Sequence, residues 1–383
     1  MNSFVKTKEQ QELMELLSPL IPLFQHREPQ LDNLGSFPFA DFEDLKNCNY
    51  HTLTLPKEYG GQGFGLYEYI LAQEAISSGS GSTGLSIGWH NGIVLEYAEN
   101  KHWNPEIAAW LLKEISNGAI INSAATEENA GSPTRGALPR TTVKKSGDRL
   151  IINGEKTYTS AAPVLDYILV TATNEEDEVV LVIVPKNSKG VSIIETWDML
   201  AMRGTASHTL LLEDVCVPST YILKKLTGKE AISKGWMLHI PACYLGIASA
   251  ASRCAVKFAS SYVPSSLGKP IIDTPNIQGI IGEMQLELHT ARHMLYGTVE
   301  RYEHAEDKRK LSEALDITKI AVTNAAIRVV DLAMKIVGSR GLSASHPMHR
   351  YYLNVRAGLY NPPMEDMVKA KLTKDFINNL ADE

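Results

Sequence analysis

Between positions 8 and 21, apolar residues recur three and four apart as Leu13, Leu16, Leu17, Leu20 and Ile21. This spacing predicts a helix with one buried face and a kink at Pro19. The stretch LPKEYGGQGFG at 55–65 joins a proline to four glycines and reads as a loop, after which LYEYILAQEAI returns to helical spacing. Further helices are expected over 83–97 and 105–116, the second opened by Pro105 at a first-turn position. From about Ile121 the pattern changes to short β-branched runs. RLIINGEKTYTS carries an Asn-Gly pair that reads as a turn, and DYILVTAT, EVVLVIVP and HTLLLEDVCVP read as strands. Beyond Thr227 helical periods dominate again over 229–262, 275–305 and 311–337, with a last helix after Pro363. Long helices of this kind bury their apolar stripes only by packing together as a bundle. The pattern divides the chain into a helical block at 1–120, a β block at 121–228 and a second helical block at 229–383.

Composition narrows the partners more than the fold. With 383 residues, 44% hydrophobic and 21% charged, the chain has material for roughly two to three domains. A formal charge of −7 provides no general basic field for nucleic acid. The four cysteines, Cys48, Cys216, Cys243 and Cys254, are scattered in a way that fits neither a disulfide framework nor a metal site, and they read as reduced thiols of a cytoplasmic protein. The N-terminal stretch is amphipathic and interrupted by charge, and no run reaches the roughly 18 apolar residues of a membrane span.

Four strings at the joints between these blocks resemble the acyl-CoA dehydrogenase family, in the family's order. They are LPKEYGG followed by GWHNG; ATEENAGS, similar to T-E-x-x-x-G-S; NGEKTYTS, similar to N-G-x-K-x-W-I-T; and MRGTASHTLLLEDVCVP. The resemblance implies an α+β fold with an N-terminal helical domain, a central β domain and a C-terminal four-helix bundle that enclose FAD in a homotetramer. An isoalloxazine ring needs an aromatic wall and small donors along its polar edge. Matched string by string, Thr126 and Ser160 are implied at the O4 and N5 side, Tyr158 stands where the family has its tryptophan wall, and Ser132 lies near flavin and substrate. Gly338, in MKIVGSRG, stands in the family's glycine-bearing cofactor string, where Arg340 adds positive charge. Taken alone, each hydroxyl reads as an ordinary strand residue bonded to its own backbone, and His90 as a packing histidine.

The reaction implied is α,β-dehydrogenation of an acyl-CoA thioester, with a carboxylate taking the α-proton and hydride passing to flavin N5. Here the sequence departs from the family. The string VRAGLYNPPMED places Asn361 at the usual glutamate position, and the alternative position on the first bundle helix is Trp236. An amide accepts no such proton, which leaves Glu365 and Asp366 as candidate bases, with Tyr360 and His239 behind them. Adjacent acids in a first turn also read as partners of the helix dipole. Lys234 and Met237 stand where an Asp and an Arg grip CoA, and PSSLG replaces the family's Arg-x-x-F-G. Three readings stay open: an acyl-CoA dehydrogenase with a displaced base, a reduced-flavin monooxygenase of the same fold, and a non-catalytic flavin-binding subunit.

Overall fold

The computed structural model describes residues 2–128, 138–226 and 234–381. The N-terminal helices are α1 Lys8–Leu17, α2 Leu20–Arg27, α3 Phe39–Asn47, α4 Leu66–Ser77, α5 Gly81–Asn100 and α6 Pro105–Ser116. The chain divides into α1 and α2 at the expected kink: Ser18 and Pro19 keep right-handed helical dihedrals, but the proline lacks the N–H that would continue the hydrogen-bond ladder. Helix α1 opens with a capping box in which the Thr7 side chain accepts from Gln10 N and the Gln10 side chain accepts from the Thr7 backbone. Helices α4 and α5 are buried along nearly their whole length, so they lie inside the molecule and form no amphipathic shell.

The β block forms one mixed sheet of eight strands: β1 Ile121–Ala124, β2 Thr142–Ser146, β3 Arg149–Thr159, β4 Tyr167–Thr173, β5 Val179–Pro185, β6 Val191–Ile194, β7 His208–Pro218 and β8 Ile222–Leu226. Strands run in the order β6-β7-β3-β2-β4-β5-β8, and β1 pairs in parallel with β4. The Asn153-Gly154 pair does not turn the chain. Strand β3 runs straight through it, and the pairing with β7 slips there as a bulge. Asn153 Nδ2 donates to Asp214 Oδ1 on β7 at 2.9 Å and its Oδ1 accepts from Asp214 N at 2.7 Å, while Gly154 lies against Thr141 so closely that a Cβ would sit 2.5 Å from Thr141 Oγ1. The hairpin turn lies instead at Gly147-Asp148, with Gly147 at φ 63°.

The C-terminal block contains α7 His239–Ser261, α8 Pro275–Glu303, α9 Ser312–Val337, α10 Met348–Arg356 and α11 Glu365–Ala381. Helix α7 is buried continuously from His239 to Ser252, with α4, α9 and α10 packed around it. Buried Glu74 of α4 accepts from Arg292 at 2.9 Å and Tyr296 at 2.8 Å, both on α8, which fixes the N-terminal block to the bundle. The sheet docks through the turn Arg203–Thr205. Its approach is so close that a Cβ on Gly204 would lie 3.0 Å from side-chain carbons of both Leu31 and Ser82. Met202 N donates to Asn354 Oδ1 of α10 at 2.7 Å. Among the described residues no helix is long and apolar enough to cross a membrane, and no group of three or more His, Cys, Asp or Glu could hold a metal.

Candidate functional site at the sheet–bundle joint

The last residues of β3 leave regular strand geometry. Pairing with β7 slips a second time between Lys156 and Thr159, and Tyr158 inside that bulge has φ 57°, the left-handed region a bulky side chain occupies only under constraint. The bulge turns the Tyr158 ring outward, 55% exposed, with the edge of Trp197 at 5.9 Å and 80°. One face of a flat aromatic ring is thereby offered to an incoming planar group.

A buried ion pair sets the position of this edge. The Lys156 ammonium, fully buried, donates to Glu127 Oε1 at 2.5 Å and to Thr171 Oγ1 at 3.2 Å. The Glu127 carboxylate also accepts from Thr141 N, Thr141 Oγ1 and Arg140 N at 3.0, 2.7 and 2.6 Å. Burial pushes the Glu127 carboxyl up, but the Lys156, Thr141 and Arg140 bonds outweigh it and hold the group below its ordinary pKa. The chain neighbours of the two partners are joined as well, because Thr157 N, next after Lys156, donates at 2.8 Å to the carbonyl of Thr126, just before Glu127. Thr126 itself is exposed at this edge.

Ser160, half-buried, stands just past the bulge. Its hydroxyl lies 2.7 Å from Ser207 Oγ, which lies 2.8 Å from Thr205 Oγ1, and Asn122 Nδ2 holds the Ser160 carbonyl at 2.9 Å. Thr126, Tyr158 and Ser160 are thus brought together. Ser132 lies outside the described residues. Gly338 caps α9 with φ 67° and an α-carbon facing open space. Arg340 stacks on the Tyr262 ring at 4.3 Å and donates to its hydroxyl at 3.2 Å. Ser207 and Thr205 went unread in the sequence, because Thr205 ends a short 3-10 turn and Ala206 has φ 41°, so no strand or helix period places their side chains.

The carboxylates expected for proton transfer lie on another element. Glu365 opens α11, bonded by Asn324 Nδ2 at 3.3 Å and paired with Lys369 at 2.6 Å; the Lys369 and Asn324 bonds hold its carboxyl below the usual range. Its side chain lines a small recess with Lys319, Thr323, Gly358 and Leu359, whereas Asp366 is exposed. Tyr360 is 75% exposed, and Asn361 accepts through Oδ1 from the buried Tyr244 hydroxyl. His239 is fully buried beside Trp236 and Trp89, with Nδ1 2.9 Å from the Trp236 carbonyl. A carbonyl only accepts, so Nδ1 carries the proton and Nε2, without a partner among the described residues, keeps its lone pair. Burial lowers the His239 pKa to about 4. His90 is a packing residue, bonded to His51 O at 2.8 Å and to Ile121 N at 3.0 Å.

Known proteins match nearly the whole chain in sequence and fold. The models for the acyl-CoA dehydrogenase N-terminal, middle and C-terminal domains match residues 10–119, 122–215 and 238–359. The Bacillus subtilis (strain 168) protein YdbM, whose name assigns it provisionally to the acyl-CoA dehydrogenases, is 43% identical over 98% of this chain and 99% of its own. Among solved structures, butyryl-CoA dehydrogenase from Megasphaera elsdenii shares the fold with a TM-score of 0.86 at 19% identity, covering 97% of this chain and 99% of that one. KijD3, solved in complex with FMN and a dTDP-linked amino-keto sugar, shares it equally, with a TM-score of 0.86 at 20% identity, covering 97% and 94%. Members of this fold bind flavin, and the outward Tyr158 ring beside exposed Thr126 and the Ser160 hydroxyl fits the flat face and polar rim of such a ring. Three domain models in the order of the three blocks, together with a full-length relative at 43% identity, place the chain in the acyl-CoA dehydrogenase family, to which it belongs.

Proposed function

We propose that this protein is an FAD-dependent oxidoreductase that removes hydrogen from Cα and Cβ of an acyl thioester. The observation that carries the reading is the β3 bulge, which gathers Tyr158, Ser160 and Thr126 on one edge. Tyr158 would hold the flat face of the flavin, and Ser160 and Thr126 its polar rim, with Ser132 and Gly338 as further contacts. Bound there, the flavin would supply the two-electron acceptor. The names of YdbM and of the Megasphaera enzyme point to acyl-CoA substrates. Glu365 is the preferred proton acceptor over Asp366, since bonds from Lys369 and Asn324 hold its carboxyl below the usual range and its side chain lines the recess under Gly358–Leu359, whereas Asp366 is exposed. Exposed Phe376, Ile377 and Leu380 on α11 support a homotetramer, for which light scattering should return four times the monomer mass.

A second reading, a reduced-flavin monooxygenase, is favoured by one observation: the residue at the family's glutamate position is an amide tied to Tyr244. Anaerobic mixing with a panel of acyl-CoA thioesters separates the two. Bleaching of the long-wavelength flavin band supports dehydrogenation. No bleaching with any thioester, together with oxygen-dependent turnover of reduced flavin, supports the second reading. Full turnover in Glu365→Gln eliminates Glu365 as the proton acceptor.

A further inference from the structure

Behind Ser160 runs a row of three hydroxyls that ends on a carbonyl. Ser160 Oγ meets Ser207 Oγ at 2.7 Å, Ser207 Oγ meets Thr205 Oγ1 at 2.8 Å, and Thr205 Oγ1 donates to Met202 O at 2.9 Å. Thr205 and Ser207 are buried, and Ser160 is half-buried, so the row leads from the interior to the site edge. Each hydroxyl has one proton, which fixes the order of the bonds. With Thr205 donating to Met202, Ser207 must donate to Thr205 and Ser160 to Ser207. Ser160 then offers only lone pairs outward.

The inner end makes this polarity reversible. Met202 O also accepts from Thr205 N at 3.0 Å and from Trp197 Nε1 at 3.1 Å, so three donors converge on an oxygen with two lone pairs. Thr205 can therefore turn its hydroxyl away without leaving that buried carbonyl unsatisfied. It then donates to Ser207, Ser207 to Ser160, and Ser160 donates outward. The two arrangements use the same oxygens, break no covalent bond and transfer no proton.

We propose that Thr205 and Ser207 are positioning residues that let Ser160 act as a hydrogen-bond donor toward an oxidised flavin and as an acceptor toward a reduced one. The inference rests on the flavin reading, in which Ser160 faces the N5 side. The oxidised ring has a lone pair there and the reduced ring an N–H, so a hydroxyl of fixed polarity satisfies only one of them. Removing Thr205's hydroxyl removes the inward acceptor. In Thr205→Val the bonded arrangement that remains runs outward, matched to the oxidised form.

The test titrates the flavin-stripped protein with FAD and, anaerobically, with dithionite-reduced FAD, for wild type, Thr205→Val and Thr205→Ser. Thr205→Val should weaken reduced FAD about tenfold more than oxidised FAD, a midpoint drop of about 30 mV for a two-electron couple. Thr205→Ser should restore the wild-type ratio. Loss of packing alone would weaken both forms equally and leave the ratio unchanged, and that result overturns the inference while leaving the flavin reading intact. If the wild type binds neither form, the flavin reading fails first. Should Thr205→Val not fold, Ser207→Ala breaks the row one link further out and must shift the ratio in the same direction, or the inference is wrong.

Discussion

Replacing Lys156 with methionine leaves the Glu127 carboxylate ionised in a place where its ammonium partner is fully buried and lies 2.5 Å away. Breaking one side of a buried ion pair costs about 3–5 kcal/mol, because the remaining charge is uncompensated. Three further donors stay on Glu127, from Thr141 and Arg140, so Lys156→Met belongs at the low end, about 3 kcal/mol. Glu127→Gln is worse, about 5 kcal/mol, since the buried ammonium keeps only neutral acceptors, the amide carbonyl and the Thr171 hydroxyl, and loses its counter-charge. The double variant removes both charges and should be more stable than Glu127→Gln alone, a non-additivity expected of directly bonded groups. Urea unfolding followed by tryptophan fluorescence measures all three. FAD affinity should fall alongside, because Thr126 and Thr157, which flank the pair, are joined at 2.8 Å. Additive costs in the double variant, or losses under about 1 kcal/mol in both single variants, would refute the view that this pair sets the site edge.

Three more perturbations probe other parts of the account. Tyr158→Gly removes a bulky side chain from φ 57°, so it should leave folding stability unchanged or raise it by about 1 kcal/mol while weakening FAD binding; thermal melts and flavin titration should move in opposite directions. Burial pushes Glu28 up to about 7 despite Arg350, so its contribution to stability is fully present below pH 4.5 and falls away as pH rises toward 7. Glu28→Gln should flatten that slope and make the protein more stable than wild type at pH 8, which melts across the pH range would show. Tyr244→Phe removes the hydroxyl that donates to the Asn361 amide and should alter KM for the thioester more than flavin affinity; equal effects on both would place Asn361 away from the substrate.

Much of the fold was legible because burial imposes period. Pro105–Ser116, 275–303 and the helix after Pro363 stand where the apolar spacing put them, and so do the strands that are apolar throughout, such as Val179–Pro185. Strand β2 escaped because TVKKS buries little beyond Val143, leaving no alternation to read. The Asn-Gly pair misled for a tertiary reason: Asp214, 61 residues away, claims the Asn153 amide that a local turn would have used. At the site, Thr126, Tyr158 and Ser160 were visible only through the family strings. The Ser207 and Thr205 hydroxyls could not be, since the row depends on a register slip that brings β3 and the 203–207 segment together.

The central claim is that the edge formed by Tyr158, Ser160 and Thr126 holds a flavin. The direct measurement is the visible spectrum of the purified protein, followed by titration of the stripped protein with FAD. The account predicts yellow protein, FAD as the released chromophore, and stoichiometric rebinding that Ser160→Ala and Tyr158→Gly weaken. Colourless protein that takes up no flavin, or rebinding untouched by both substitutions, would contradict it.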